Sequence, residues 1–284
     1  MIWFVFGISM TYHLALGLKI MLLFRGVHYG TYVSRNSEVN VFANDERVHL
    51  NHQRMLVKPL QAITKDIMIA VCTYQSSKVR KWIARKNATI FHVMNRSVNE
   101  TKPNELILAA YDLVLSKHFD LLISVRTDLI LKQSMNNFQH YLHNNKTIVF
   151  PWREMNPHMP VHCFGHRFKE RQQAVEDSLC NQEWRKAPRF ADAIVIVPRH
   201  MVPDLRFAVY SAMTRTHVYA DQHSTFQHLL KYRRTKYSID KNVSTLLLGY
   251  WDSNPSRHAN PLFSLARQKV RARKETQIPD HPKK

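Results

Sequence analysis

The chain is short of glycine, with 6 among 284 residues. It contains no G-x-G-x-x-G and no G-x-x-x-x-G-K-[ST], which excludes the dinucleotide-binding fingerprint and the P-loop as ways of holding phosphate. Cysteine is scarce as well: Cys72, Cys163 and Cys180 form no C-x-x-C and no zinc-ribbon spacing. Cys72 sits in an apolar run and reads as a small core residue, whereas Cys163 and Cys180 are available to pair in an oxidising compartment. Acids are the third shortage, 21 against 41 Lys and Arg, for a formal charge of +20. That balance suits nucleic acid, an anionic membrane surface or a phosphate-bearing substrate. Basic residues interleaved with aromatics are missing, so nucleic acid is not the expected partner. No linker or internal repeat divides the chain, and one domain is expected.

The ends differ from the middle. "MIWFVFGISMTYHLALGL" carries no Lys, Arg, Asp or Glu before Lys19. Residues 1–18 are expected to be a membrane anchor or signal segment; the alternative is a buried N-terminal strand. Run on through "KIMLLF", the stretch reaches 24 residues, enough to span a bilayer. Sequons at Asn87, Asn95, Asn99, Asn145 and Asn242 add to an expectation of the secretory pathway, with a single-pass Golgi protein and a lumenal domain. The folded domain is expected over 19–267. The basic, proline-containing 268–284 reads as a solvated arm, or else as a phosphate-binding one.

Between the ends, short Ile/Val/Leu-rich runs alternate with helical patterns. "KIMLLFRG", "DIMIAVCTYQ", "TIFHVMN", "DLLISVRTDLIL", "KTIVFPW" and "DAIVIVPR" read as strands. "ELILAAYDLVLSKH", entered at Pro103, "VPDLRFAVYSAMTR" and "DQHSTFQHLLKY" read as helices. The order predicts an α/β fold with a mostly parallel sheet covered by helices on both faces. In such sheets ligands gather at the carboxyl ends of strands. The candidates there are Arg25, Thr73, Tyr74, Arg126, Asp128, Trp152, Arg153 and Glu154, with Asp192 at a strand entry.

One of those strands is unusual. In "FDLLISVRTDLILKQ" the residues Leu121, Ile123, Val125, Leu129 and Leu131 fall on one face, and Ser124, Arg126 and Asp128 on the other. A buried carboxylate needs a partner. Either Arg126 and Asp128 form a local ion pair, or Asp128 ligates a cation that bridges a diphosphate while Arg126 donates to the same anion. The histidines of "PHMPVHCFGHRF", four residues apart, have zinc-like spacing, but Pro157, Pro160 and Gly165 keep them off one helical face.

The succession "KIMLLFRG … KPLQ … DIMIAVCTYQS … FDLLISVRTDLILK … FPWRE … ADAIVIVPR … DSN…NPLFSLAR" resembles glycosyltransferases with an R-x-D in place of the D-x-D motif. The resemblance implies a GT-A-like fold, a nucleotide-sugar donor, a glycan or protein acceptor and a Golgi membrane location. It matches Asp128 to the motif's last acid, the usual Mn²⁺ or Mg²⁺ ligand. Arg126 stands at the first acid's place, where a guanidinium could neutralise the diphosphate without an ion. Arg25 and Arg153 are further anion donors, and Tyr74 or Trp152 could stack on the base. An inverting transfer needs a carboxylate base, for which Glu154, Asp192 and Asp252 are the candidates. The competing classes are a non-enzymatic basic binding protein and a catalytically degenerate relative.

Overall fold

A computed structural model describes residues 17–34, 37–100, 103–143, 145–151, 153–154, 189–190, 193–215, 237–239 and 263–271. Its centre is β1 (Ile20–Arg25), all six residues buried. An uninterrupted apolar run is what a strand buried on both faces requires. β4 (Ile67–Tyr74) and β6 (Leu121–Arg126) flank it in parallel, and β5 (Ile90–Met94) continues the sheet beyond β4. On the other side β11 (Ile194–Pro198) runs antiparallel to both β6 and β8 (Ile148–Phe150), and β12 (Tyr237–Ile239) closes the series. The seven strands lie in the order β12-β8-β11-β6-β1-β4-β5, with β11 alone reversed. The expected mostly parallel α/β sheet is therefore present, and all six predicted strand runs are in it.

Helices close both faces. On one, α4 (Pro103–Leu115) and α6 (Val202–Arg215) cover Met21, Leu23, Cys72, Leu122 and Val195. The C-terminal carbonyls of α4 are met by Arg199, which donates to Leu115 and to Lys117 O at 3.2 Å. On the other face lies a helical run of α1 (Glu46–His52), a π segment (Gln53–Val57) and α2 (Lys58–Gln61). It joins α3 (Val79–Arg85) and α5 (Gln139–Leu142) over Ile20, Leu22, Phe24, Leu121, Ile123 and Val125. The alternation read from the sequence thus assigns the apolar face correctly. The opposite face is closed as well, with Ser124 fully buried.

Two departures matter for the site. "DLLISVRTDLIL" is two strands: β6 ends at Arg126, and β7 (Leu129–Leu131) leaves the main sheet to pair with β13 (Phe263–Leu265). β14 (Arg267–Arg271) then joins a three-stranded antiparallel sheet with β2 (Gly30–Ser34) and β3 (Ser37–Val41). The segment expected to be an arm from 268 onward is therefore a paired strand as far as Arg271, its backbone bonds met by β3. The possible 24-residue span is corrected too, because its last part is the buried central strand β1. Among the described residues no helix is long and apolar enough to cross a membrane. Residues 1–16 and the predicted helix at "DQHSTFQHLLKY" lie outside them.

Candidate functional site

β1, β4, β6 and β8 run one way and β11 the other, so four strand ends and one strand start share an edge. Along it Arg25 stands in register between Cys72 and Arg126. The backbone N–H of Arg126 donates to Ala193 O at 3.0 Å, which fixes the start of β11 beside it. Asp192 directly precedes Ala193; it, Trp152 and Asp252 lie outside the described residues. Arg153 and Glu154 form β9 (Arg153–Glu154), paired with β10 (Arg189–Phe190); their side chains are not among those described. The topology gathers Arg25, Thr73, Arg126 and Asp128. It places the Tyr74 ring in the core beneath α4, 5% exposed, which removes it as a platform for a base.

Arg126 and Asp128 meet fork to fork: Nε donates to Oδ1 at 2.9 Å and Nη2 to Oδ2 at 2.7 Å. The side chains are 14% and 5% exposed. This is the ion-pair arrangement, and it is the strong, bidentate kind. Arg25, also buried, donates from Nε to Ser124 Oγ at 2.8 Å. Two guanidinium groups on adjacent strands therefore lie at the edge, with Asp128 as the acid between β6 and β7.

The turn that carries them is held from every side. Thr127 N–H donates to Arg25 O at 3.0 Å and its hydroxyl to Val27 O at 2.6 Å. That hydroxyl would lie 3.1 Å from a Cβ on Gly26, which has φ +124°, so this position requires glycine. Ala266 N–H donates to Asp128 O at 2.7 Å. Leu131 exchanges two bonds of 2.7 Å with the Asn51 side-chain amide, and His52 Nε2 donates to Leu129 O at 2.6 Å. The C-terminal "NPLFSLAR" motif accordingly reaches the site as structure, through Phe263–Ala266 beside β7.

Sequence reasoning overlooked His28, which is fully buried just past β1. The Thr73 hydroxyl donates to Gly26 O at 2.8 Å, so it accepts from His28 Nδ1 at 2.7 Å. Nε2 then accepts from Ser76 Oγ at 2.7 Å. The ring stacks on Trp82 with centroids 4.8 Å apart. Burial pushes its pKa down to about 4, and the imidazole is neutral at pH 7. Burial also pushes the Cys72 thiol up to about 12, so it is no nucleophile. Thr73, fully buried, is a link in this relay.

A second buried base lies under the same edge. Lys86 Nζ donates to His52 Nδ1 at 2.5 Å and sits 4.4 Å from the Phe24 ring centroid. Burial lowers its pKa from 10.5 to about 7. The charged form is thus disfavoured in the folded state, so the penalty is absent above pH 10.5, grows as pH falls and is complete below 7. Lys86→Met should remove this pH dependence, flattening the change in stability between pH 10 and pH 7 in chemical denaturation.

A divalent cation takes six or more oxygen ligands. Among the described residues no cluster of three His, Cys, Asp or Glu could hold one. Asp128 offers a single carboxylate whose two oxygens already accept from Arg126. The described donor set does not fit Mn²⁺ or Mg²⁺.

No protein-family model matches the chain, and no curated protein matches it. Among solved structures it is similar to the glycosyltransferase GlyE of Streptococcus pneumoniae TIGR4, at 10% identity and TM-score 0.41, covering 80% of this chain and 46% of that one. It is similar to 4-diphosphocytidyl-2C-methyl-D-erythritol synthase from Anaerococcus prevotii DSM 20548, at 8% identity and TM-score 0.43, covering 78% and 88%. The bifunctional glycosyltransferase WbbM follows at 8% identity and TM-score 0.40, covering 78% and 38%. The chain spans a little under half the length of GlyE. At these scores the likeness concerns chain arrangement alone.

Proposed function

We propose that the chain is a glycosyltransferase that binds a nucleoside-diphosphate sugar at the carboxyl edge of its sheet and passes the sugar to a glycan or protein acceptor. The observation that carries this reading is the Arg126–Asp128 fork at that edge with Arg25 in register beside it. Glycosyl transfer leaves a nucleoside diphosphate on which negative charge develops, and preorganised donors stabilise it. Arg126, oriented by Asp128, brings its guanidinium charge to that anion, and the Arg25 cation adds to the field. Asp192, Glu154 and Asp252 stand as candidates for the base that deprotonates the acceptor hydroxyl in an inverting transfer. The guanidinium groups take the place of the ion, and metal is not required for binding.

A thermal-shift series with UDP, GDP and CMP, each with Mn²⁺ or EDTA, tests this. At least one nucleoside diphosphate should raise the Tm, to the same extent in EDTA as in Mn²⁺. No shift with any nucleotide would remove the transferase reading. Binding that appears only with Mn²⁺ would restore the ion. A second reading, a basic module for polyanions, draws on the net charge of +20; it requires affinity that collapses steeply with added salt. The lumenal location is part of the proposal. Asn87, Asn95 and Asn145 are exposed, and peptide N-glycosidase should lower the apparent mass of protein made in eukaryotic cells. No mass change would exclude a lumenal site.

A further inference from the structure

β7 is three residues long, too short to hold its place by its own ladder. One edge is served by the C-terminal segment, through β13 and through Ala266 N–H to Asp128 O. Among the described residues no strand pairs with the other edge. Its backbone groups are met by two side chains at the end of α1: Asn51 takes both groups of Leu131, and His52 takes Leu129 O. A buried carbonyl left without a donor is costly, so the chain just past Asp128 depends on these two residues.

His52 is fully buried and stacks on Phe24, with centroids 5.1 Å apart. An apolar residue would fill that place without a desolvated ring nitrogen. The lysine on its far side sets its chemistry. Lys86 Nζ donates to Nδ1, which must then be an acceptor; the ring proton is therefore on Nε2, facing Leu129 O. Lys86 and His52 thus form a buried chain, Nζ to Nδ1 and Nε2–H to Leu129 O, that ends one residue beyond the acid of the ion pair. His49, Glu46 and Arg85 lie further along the same helices; Arg85 pairs with Glu46 at 3.2 Å.

We infer that His52 is a positioning residue for the Arg126–Asp128 fork: its Nε2–H, directed by Lys86, fixes the Leu129 carbonyl and with it the angle at which Asp128 meets Arg126. The effect on ligand binding rests on the nucleotide-site reading above; the effect on the fork itself does not.

The test separates the two. A double-mutant cycle of Arg126→Ala and Asp128→Ala, read by chemical denaturation, gives the coupling between them. It is run on the full chain in three backgrounds: His52, His52→Leu and His52→Gln. Gln places an amide N–H near the position of Nε2, whereas Leu fills the space with no donor. The coupling constant should fall roughly five-fold or more in the His52→Leu background and return to within about two-fold with His52→Gln. A residue that merely fills the core would lower the stability of every arm equally and leave the coupling unchanged, and that result overturns the inference. Should His52→Leu not fold, His52→Asn replaces it, since its amide sits where Nδ1 was and falls short of Leu129 O. Affinity for UDP or GDP should follow the same order, weakened roughly ten-fold without the donor. A wild type that binds neither nucleotide, together with the coupling change, would uphold the positioning and remove the nucleotide reading.

Discussion

Arg126→Ala should lower stability by about 3–5 kcal/mol, because it leaves the Asp128 carboxylate buried without its guanidinium. Asp128 is only 5% exposed and both its oxygens accept from Arg126, so little water can replace what is lost. Arg126→Lys should recover little, because one ammonium cannot span two oxygens in the fork geometry. The double variant Arg126→Ala with Asp128→Ala should be more stable than Arg126→Ala alone, since the buried carboxylate is removed along with its guanidinium. Neither should bind a nucleoside diphosphate. Urea denaturation with ligand titration separates the outcomes. A double variant that still binds would show that the fork is a fold element only.

Acid should weaken the protein ahead of its carboxylates. His28 has a folded pKa of about 4 against an ordinary 6.5. Between those values the unfolded chain binds a proton that the folded chain refuses, so stability falls as pH drops from 6.5 to about 4 and levels off below. Two and a half pH units at about 1.4 kcal/mol each correspond to a loss of about 3–4 kcal/mol. The physical cause is direct. Protonation of Nε2 removes the acceptor of the Ser76 hydroxyl and places a charge against the Trp82 ring in the core. Denaturation curves at pH 7.5, 5.5 and 4 should show this slope, and His28→Gln should flatten it. An equal slope in the variant would assign the acid loss to other groups.

The main sheet was legible because its strands are long apolar runs ended by charge, as in "KIMLLFR" and "DLLISVR". The helix Pro103–Leu115 was legible through the helical spacing of Leu106, Ala110, Leu113 and Val114 and its proline entry. The covering helix over β1 was not, although Val48, His52, Leu56 and Leu60 are all buried at four-residue steps. Its second anchor is a histidine and its last turn holds Pro59, which hide the pattern. The site was half legible. Arg126 and Asp128 stood out as charges inside a greasy run, and their bidentate union follows from two-residue spacing. Their supports did not stand out: His28, His52, Lys86 and Asn51 act by what they touch across the fold, and nothing local marks them. The two-strand break after Arg126 escaped because β7 remains as apolar as β6, and its partner β13 lies far along the chain.

That last pairing has a consequence for how the protein comes into being. Ala266, whose N–H holds the Asp128 carbonyl, follows it by 138 positions, residue 266 against 128. At about 5–20 residues per second, synthesis needs roughly 7 to 28 seconds to deliver that partner. Throughout that interval the central strands β1, β4 and β6 are present and able to pair, while β7 waits with one edge open. A nascent chain, or one stopped short of Phe263, can therefore own the whole sheet centre and still lack a finished turn at Arg126–Asp128.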